Sequence, residues 1–313
     1  MGRGDDNKEQ IKCGKWRLLH DLRAINAVIE RMGALQPGIP SPSMLPQNWP
    51  IAIIDLKDCF FIIPLHPRDA PQFAFSVPSI NQQQPTGQYH WTVLPQGMLN
   101  SLTICQLTVA NALQPVRNAN PHVIFYHYVD DILLAAEKDK DLQTVICQVR
   151  PAVQGAGLQV AEEKVQREPP WKYVGWKVTT HTIQPQALKL ALQIKTLNDL
   201  QKLLGTINWL RPFLGITTQD LHPLFQLLKG DPDLNSKRQL TPTGLQCLQQ
   251  VIKALQTRQS HRLCLMLPVY LVIIPNTFQP YALLSQWDST KKDPLVILEW
   301  LFLPHAFTKT VTS

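Results

Sequence analysis

Two apolar runs, Val123 to Tyr128 and Ile132 to Ala136, are separated by Val129-Asp130-Asp131 alone, which leaves room for nothing but a tight antiparallel hairpin. A third apolar run, Ile51-Ala52-Ile53-Ile54-Asp55-Leu56, carries a carboxylate near its end, with Asp58 soon after. Runs of this kind are buried strands. Buried strands that end in carboxylates are costly unless a cation compensates. An Asp pair in a turn also has a plain explanation, because Asp tolerates turn backbone angles. Taken by themselves, the acids leave both readings open.

Around these strands the pattern alternates with helices. Leu99 to Leu113 places Leu102, Cys105, Val109 and Leu113 on one face. Leu142 to Gly157 is helical, with Gly155 and Gly157 as candidates for the C-cap. Asn81 to Gly87 reads as a polar loop, Tyr89 to Leu94 as a strand, and Lys172 to Val178 as strand-like. Pro37 to Pro50 holds five prolines and reads as an irregular crossing segment. Thr196 and Asp199 form a capping box ahead of Leu197, Leu200, Leu204, Ile207 and Leu210. Thr241-Pro242 opens a second amphipathic helix, and strands return after Leu263.

The length of 313 residues suits two domains or three small ones, and 44% hydrophobic residues are enough for real cores and too many for a disordered chain. The net charge is +7, and Pro185 to Arg262 holds ten Lys/Arg against four Asp, so nearly all the excess lies in one stretch. That suits contact with phosphates in one place. The six cysteines show neither zinc-ligand spacing nor a disulfide framework, so a reducing compartment is expected. Met1 to Gln10 is polar and lacks the apolar core of a signal peptide. Leu263 to Ile274 is interrupted by Pro268, too short to span a membrane, and reads as a buried strand.

The order of motifs carries a resemblance. Ile54-Asp55-Leu56-Lys57-Asp58-Cys59-Phe60-Phe61 is followed by Leu94-Pro95-Gln96-Gly97-Met98-Leu99-Asn100-Ser101, then by Tyr128-Val129-Asp130-Asp131. This resembles the reverse transcriptases of retroviruses, most closely the betaretrovirus-like and endogenous group K type. Lys15 to Asn26, Gly38 to Pro42, Gly157 to Lys164, Glu168 to Trp176 and Leu200 to Leu210 extend it, so that it runs from about Lys12 to the end.

The resemblance implies an α+β right-hand polymerase fold. Residues 1–50 would be partial fingers and the approach to the palm, 51–184 the palm with a remaining fingers segment, 185–262 a helical thumb, and 263–313 the start of a connection domain. It implies an RNA-directed DNA polymerase that extends a primer on RNA or DNA template. Asp55, Asp130 and Asp131, with the Leu56 carbonyl, would hold two Mg²⁺ ions, Mn²⁺ being a substitute. Lys164 would be the acid for the leaving pyrophosphate. Arg17 and Lys12 would clamp the triphosphate of a dNTP, Gln96 and Gly97 would contact it, and Phe60 would gate the sugar 2′ position. Tyr173, Val174 and Gly175 would grip the primer. Primer–template is the expected partner, with a dimer partner through the connection region, no membrane, and a cytoplasmic location, virion-associated within a functional Pol polyprotein.

The sequence also departs from the family. Leu102 stands where relatives have proline, Glu162-Glu163 replace a Pro-Asp, and Met1 to Gln10 matches no fingers sequence. The expectation is therefore an isolated, endogenous-type Pol segment. The alternative reading is a catalytically impaired remnant that only binds nucleic acid. An unrelated two-metal nuclease would have no use for Gln96-Gly97, a gate at Phe60 or a primer grip.

Overall fold

The computed structural model describes residues 20–33, 40–186, 194–276 and 279–303. It mixes helices and sheets, in agreement with an α+β class, and it divides into two compact units. The first comprises Met1–Pro40 and Pro50–Arg167, the second Ser41–Trp49 and Glu168–Ser313.

The first unit runs α1 (Arg23–Val28), β1 (Ile51–Lys57), α2 (Cys59–Ile62), β2 (Ala74–Val77), β3 (Gly87–His90), α3 (Ser101–Ala119), β4 (Ile124–Tyr128), β5 (Asp131–Ala135), α4 (Asp139–Gly155) and β6 (Gln159–Val160). Its main sheet has the order β4-β5-β1-β6. Ile51, Ala52, Ile53, Ile54 and Leu56 of β1 are all buried, which is why this strand is a continuous apolar run rather than an alternating one. Cys105, Val109, Leu113 and Val116 of α3, and Leu142, Val145, Ile146, Val149 and Val153 of α4, form one core with Ala52, Ile54, Ile132 and Leu134. Each large apolar side chain buried there contributes about 1.5–3 kcal/mol. That core makes β1 and β5 a rigid platform for what they carry at their ends.

Several boundaries shift from the expected ones. The expected helix Leu99 to Leu113 runs from Ser101 to Ala119, continuing through Pro115. The strand expected over Tyr89 to Leu94 is instead β3, which pairs with β2 across the expected loop, and His90 lies opposite Ala74. Phe60 and Phe61 lie on the helix α2.

The second unit runs β7 (Trp171–Tyr173), β8 (Trp176–Val178), β9 (Thr182–Pro185), α5 (Leu197–Leu214), α6 (Thr218–Gln226), α7 (Pro242–Thr257), β10 (Ser260–His261), β11 (Val269–Ile274), β12 (Tyr281–Trp287) and β13 (Leu295–Phe302). Its sheets have the orders β10-β9-β8-β7 and β11-β12-β13. The strand-like stretch from Lys172 to Val178 is a hairpin, turned by Val174 (φ 42°) and Gly175 (φ 84°). The capping box at Thr196 is present, with Asp199 N donating to Thr196 Oγ1 and Thr196 N to Asp199 Oδ2. α5 stops at Gly215 (φ 60°), where a Cβ would run into the Trp300 ring, so a side chain does not fit there. A third helix, α6, joins the two that were expected. It is short and contains Pro223, which hid it, although Thr217 and Asp220 give it a capping box of its own.

The run Leu263 to Ile274 yields the strand β11, but not a buried one: Leu271 is 58% and Ile273 69% exposed. β11 is an edge strand, and its apolar side chains lie open on the sheet. Among the described residues, no helix is long and apolar enough to cross a membrane, and cysteines 59, 105, 147, 247 and 264 are unbonded thiols.

Candidate active site

The antiparallel register of β1 and β5 sets Asp55 directly opposite Asp131. Asp130 stands at the tip between β4 and β5, and its carbonyl accepts the Leu56 amide at 2.9 Å. Two carboxylates on facing strands and a third beside them repel one another. Burial, then the charges of Asp130 and Asp55, push the Asp131 carboxyl up to about 6. Burial also raises Asp130, and Asp55 adds to it. The cation that meets this group is Lys164, whose Nζ lies 2.9 Å from Asp55 Oδ1. Its position follows from the chain after β6: Ala161 N donates to the Asp55 carbonyl, and Gln166 and Ile53 exchange two backbone hydrogen bonds. The hydrogen bond to Asp55 raises the Lys164 ammonium above its usual range.

This donor set suits a divalent cation. Carboxylate oxygens are hard ligands, and a cation would offset the burial and the mutual repulsion that raise Asp130 and Asp131. Among the described residues, no three His, Cys, Asp or Glu groups converge as a ready-made cage, and Asp55 is engaged by Lys164 instead.

The segment Leu94 to Ser101 is held by a set of matched polar contacts. Asn26 Nδ2 donates to the Gly97 carbonyl at 2.9 Å while its Oδ1 accepts the Leu99 amide at 2.8 Å. Asn100 does the same for the chain after α1, donating to Glu30 O and accepting from Met32 N. Ser101 Oγ donates to Pro95 O at 2.8 Å. Asn100 and Ser101 of the motif therefore fix backbone, as Asn26 does from α1. Gly97 (φ 93°) has nothing within 4 Å of a built Cβ, so its turn is open on that side. Gln96 Oε1 is buried without a hydrogen-bond partner. Leu102, in place of a proline, is the second residue of α3, where an amide has no helical partner to lose.

Phe60 is half-buried against the core, and its neighbour Cys59 places Sγ 2.7 Å from Cys105 Sγ. Phe61 stacks on Trp91 with ring centroids 6.1 Å apart. The two phenylalanines thus occupy different surroundings. Arg17 and Lys12 lie outside the described residues.

Residues 6–178 match the reverse transcriptase (RNA-dependent DNA polymerase) family, and residues 184–249 match the reverse transcriptase thumb domain. The chain belongs to the reverse transcriptase family. It is 45% identical over 307 residues to the Gag-Pro-Pol polyprotein of squirrel monkey retrovirus, covering 96% of this chain and 16% of that polyprotein. The Gag-Pro-Pol polyprotein of mouse mammary tumor virus (strain BR6) is 45% identical over 302 residues, with 96% and 17% covered. The Pol-related polyprotein of mouse intracisternal a-particle MIA14 is 46% identical over 295 residues, with 92% and 34% covered. The chain spans about one sixth of the first two relatives' length.

In the second unit, the turn at Tyr173, Val174 and Gly175 is tied down by Gln186 N donating to Gly175 O at 3.0 Å. The basic stretch there is less available than its charge suggests. Arg211 and Arg262 are buried. Arg211 donates to Ile216 O and Thr218 Oγ1, and Arg262 serves the carbonyls of Thr179, Pro46 and Trp49. Arg258 bonds Leu214 O and Gly215 O. Among the described residues of this stretch, the exposed cations are Lys195, Lys202, Lys229, Lys237, Lys253 and Arg258.

Two residues beside the acids went unnoticed in the sequence. Gln106, on α3, accepts the Val129 amide at 2.6 Å through Oε1. His127 Nε2 meets the Val129 carbonyl at 3.0 Å, and burial lowers its pKa to about 4. A polar residue next to the apolar stripe Cys105-Val109-Leu113 was the available signal for Gln106. His127 could have been found by noting a titratable residue inside a buried strand.

Proposed function

We propose that this chain is an RNA-directed DNA polymerase that extends a primer on an RNA or DNA template. The observation that carries this is the facing pair Asp55 and Asp131 with Asp130 at the tip and Lys164 on Asp55. Asp55, Asp130, Asp131 and the Leu56 carbonyl would hold two divalent cations, Mg²⁺ or in its place Mn²⁺. When bound, such ions make the primer 3′-hydroxyl a better nucleophile and offset charge on the leaving pyrophosphate.

The chain's own groups do the rest. While Asp55 holds Lys164, the ammonium is a weaker acid than usual. When Asp55 turns to another partner, Lys164 Nζ becomes free and more acidic, ready to give its proton to pyrophosphate. The open side of Gly97 lets a nucleotide approach backbone, and Gln96 beside it would donate near the 3′ end of the incoming sugar. Phe60 would exclude a 2′-hydroxyl. Arg17 and Lys12 would hold the triphosphate, and the hairpin turn at Val174-Gly175 the primer strand.

Within this proposal residues 51–184 serve as palm and 185–262 as thumb, flanked by partial fingers and a partial connection domain. The open apolar face of β11 supports a dimer partner through the connection region. A cytoplasmic location, virion-associated within a functional Pol polyprotein, rests on the polyprotein relatives. The test is primer extension on poly(rA)/oligo(dT) with Mg²⁺, comparing the chain with Asp55→Asn and Asp130→Asn. Extension should vanish in both while duplex binding persists. A wild-type chain that binds duplex and extends nothing would favour the binding-only remnant instead.

A further inference from the structure

Val129 sits between Tyr128 and Asp130 with φ 55°, the left-handed region that a β-branched residue avoids. It is 5% exposed, so water does not satisfy its backbone. Two side chains do. Gln106 Oε1 accepts its amide at 2.6 Å, and His127 Nε2 donates to its carbonyl at 3.0 Å. Gln106 Nε2 in turn reaches the His127 carbonyl at 3.4 Å. The three residues form a closed ring of contacts around the one strained peptide unit of the hairpin. Gln106 comes from α3, whose next turns carry the core residues Val109 and Leu113, so the ring is anchored in the packed core.

The conformation of Val129 decides where Asp130 and Asp131 point, since both follow it directly. We infer that Gln106 and His127 are positioning residues: they hold Val129 left-handed and thereby set how well Asp130 and Asp131 accept a divalent cation. This rests on the polymerase reading for the identity of the ligand, but not for the clamp itself. A Val129 backbone relaxed into the ordinary region would turn the tip and part the carboxylates. Residues that orient metal ligands from behind commonly change affinity by about 10–100-fold when removed.

The probe is Mn²⁺, titrated by electron paramagnetic resonance against the full chain without nucleic acid or nucleotide. Gln106→Ala and His127→Leu should each weaken Mn²⁺ binding about tenfold or more. His127→Gln, which keeps a donor for the Val129 carbonyl, should stay within about threefold of wild type. Glycine accepts positive φ without strain, so in a Val129→Gly background Gln106→Ala should cost no more than about threefold. A structural role alone would give equal losses in both backgrounds, and that result overturns the inference. So does a Gln106→Ala chain that binds Mn²⁺ like wild type. Hydrogen exchange at the Val129 amide is the second readout, and it decides the matter even if the wild type binds no Mn²⁺. It should be protected in wild type and His127→Gln and exposed in Gln106→Ala, and equal protection refutes the clamp. A wild type that fails to extend a primer, with these results intact, refutes the polymerase reading alone.

Discussion

Acid should loosen the first unit through one residue, His127. Its ring is 5% exposed and donates to Val129 O. Burial first, helped by the nearby Arg117 charge, lowers its pKa from 6.5 to about 4. The unfolded chain therefore binds a proton that the folded chain refuses between those values. For a base depressed in the folded state, stability is complete above the unfolded pKa and is lost as pH falls toward the folded one. With the shift of 6.5 to about 4, the loss between pH 7.5 and pH 4.5 comes to about 2.5 kcal/mol. The carboxyls of Asp130 and Asp131 are raised, and they work in the opposite direction over the same range. Wild type alone would thus show a blunted response. His127→Gln has no such proton to refuse, so the comparison isolates the histidine. Urea unfolding of both proteins at half-unit steps should give His127→Gln a growing relative advantage as pH falls, reaching about 2.5 kcal/mol. A difference that stays constant from pH 7.5 to 4.5 would refute a neutral, buried His127.

Three other outcomes can be measured. Phe60→Val should lower the ratio of dNTP to rNTP kcat/KM, whereas Phe61→Val, which loses its stack on Trp91, should not; equal changes in both would return Phe60 to the core. Arg262→Met strands the carbonyls of Thr179, Pro46 and Trp49, and chemical denaturation should show a loss of about 4 kcal/mol, with a loss below about 1 kcal/mol ruling out the network. Glu299 accepts from Ser43, and burial raises its carboxyl. A raised acid weakens the fold as pH rises, so Glu299→Gln should raise Tm at pH 8 and leave it unchanged at pH 4.

What the sequence revealed and what it hid divide along physical lines. β1 and the β4–β5 hairpin were legible because central strands buried on both faces leave continuous apolar runs, and short runs broken by Val129-Asp130-Asp131 permit a single topology. α6 was hidden by its length and by Pro223, and the exposure of β11 by the fact that an apolar run has the same composition whether or not something covers it. The charge count over Pro185 to Arg262 could not separate lysines that face solvent from arginines that hold carbonyls, because net charge contains no information on burial. Among the candidate site residues, Asp55, Asp130 and Asp131 came from the motifs and Lys164 from a resemblance, while the Lys164–Asp55 contact was not foreseen. Gln106 and His127 escaped because their work is done on the backbone of Val129, and no sequence pattern displays a φ angle.

The carboxylate cluster breaks local rules for stability, and that gives a last prediction. At neutral pH Asp131 must ionise opposite Asp55 in a half-buried site, although its carboxyl is pushed up to about 6. An acid raised in the folded state costs stability increasingly as pH passes from the unfolded pKa of 3.8 through that value. Asp131→Asn keeps the shape and removes the charge. In chelator at pH 7.5 it should be more stable than wild type by about 2 kcal/mol, a figure reduced from the full shift for partial solvent screening. The advantage should shrink near pH 4, where the native carboxyl is protonated as well. It should also shrink at pH 7.5 when Mg²⁺ is added, because a cation that binds the folded wild type stabilises it and has less to hold in the variant. Primer extension should fall in the same variant, so that stability and activity move in opposite directions. An Asp131→Asn chain that is less stable than wild type in chelator would mean the cluster is held together by contacts of its own, and the need for a cation there would lose its physical basis.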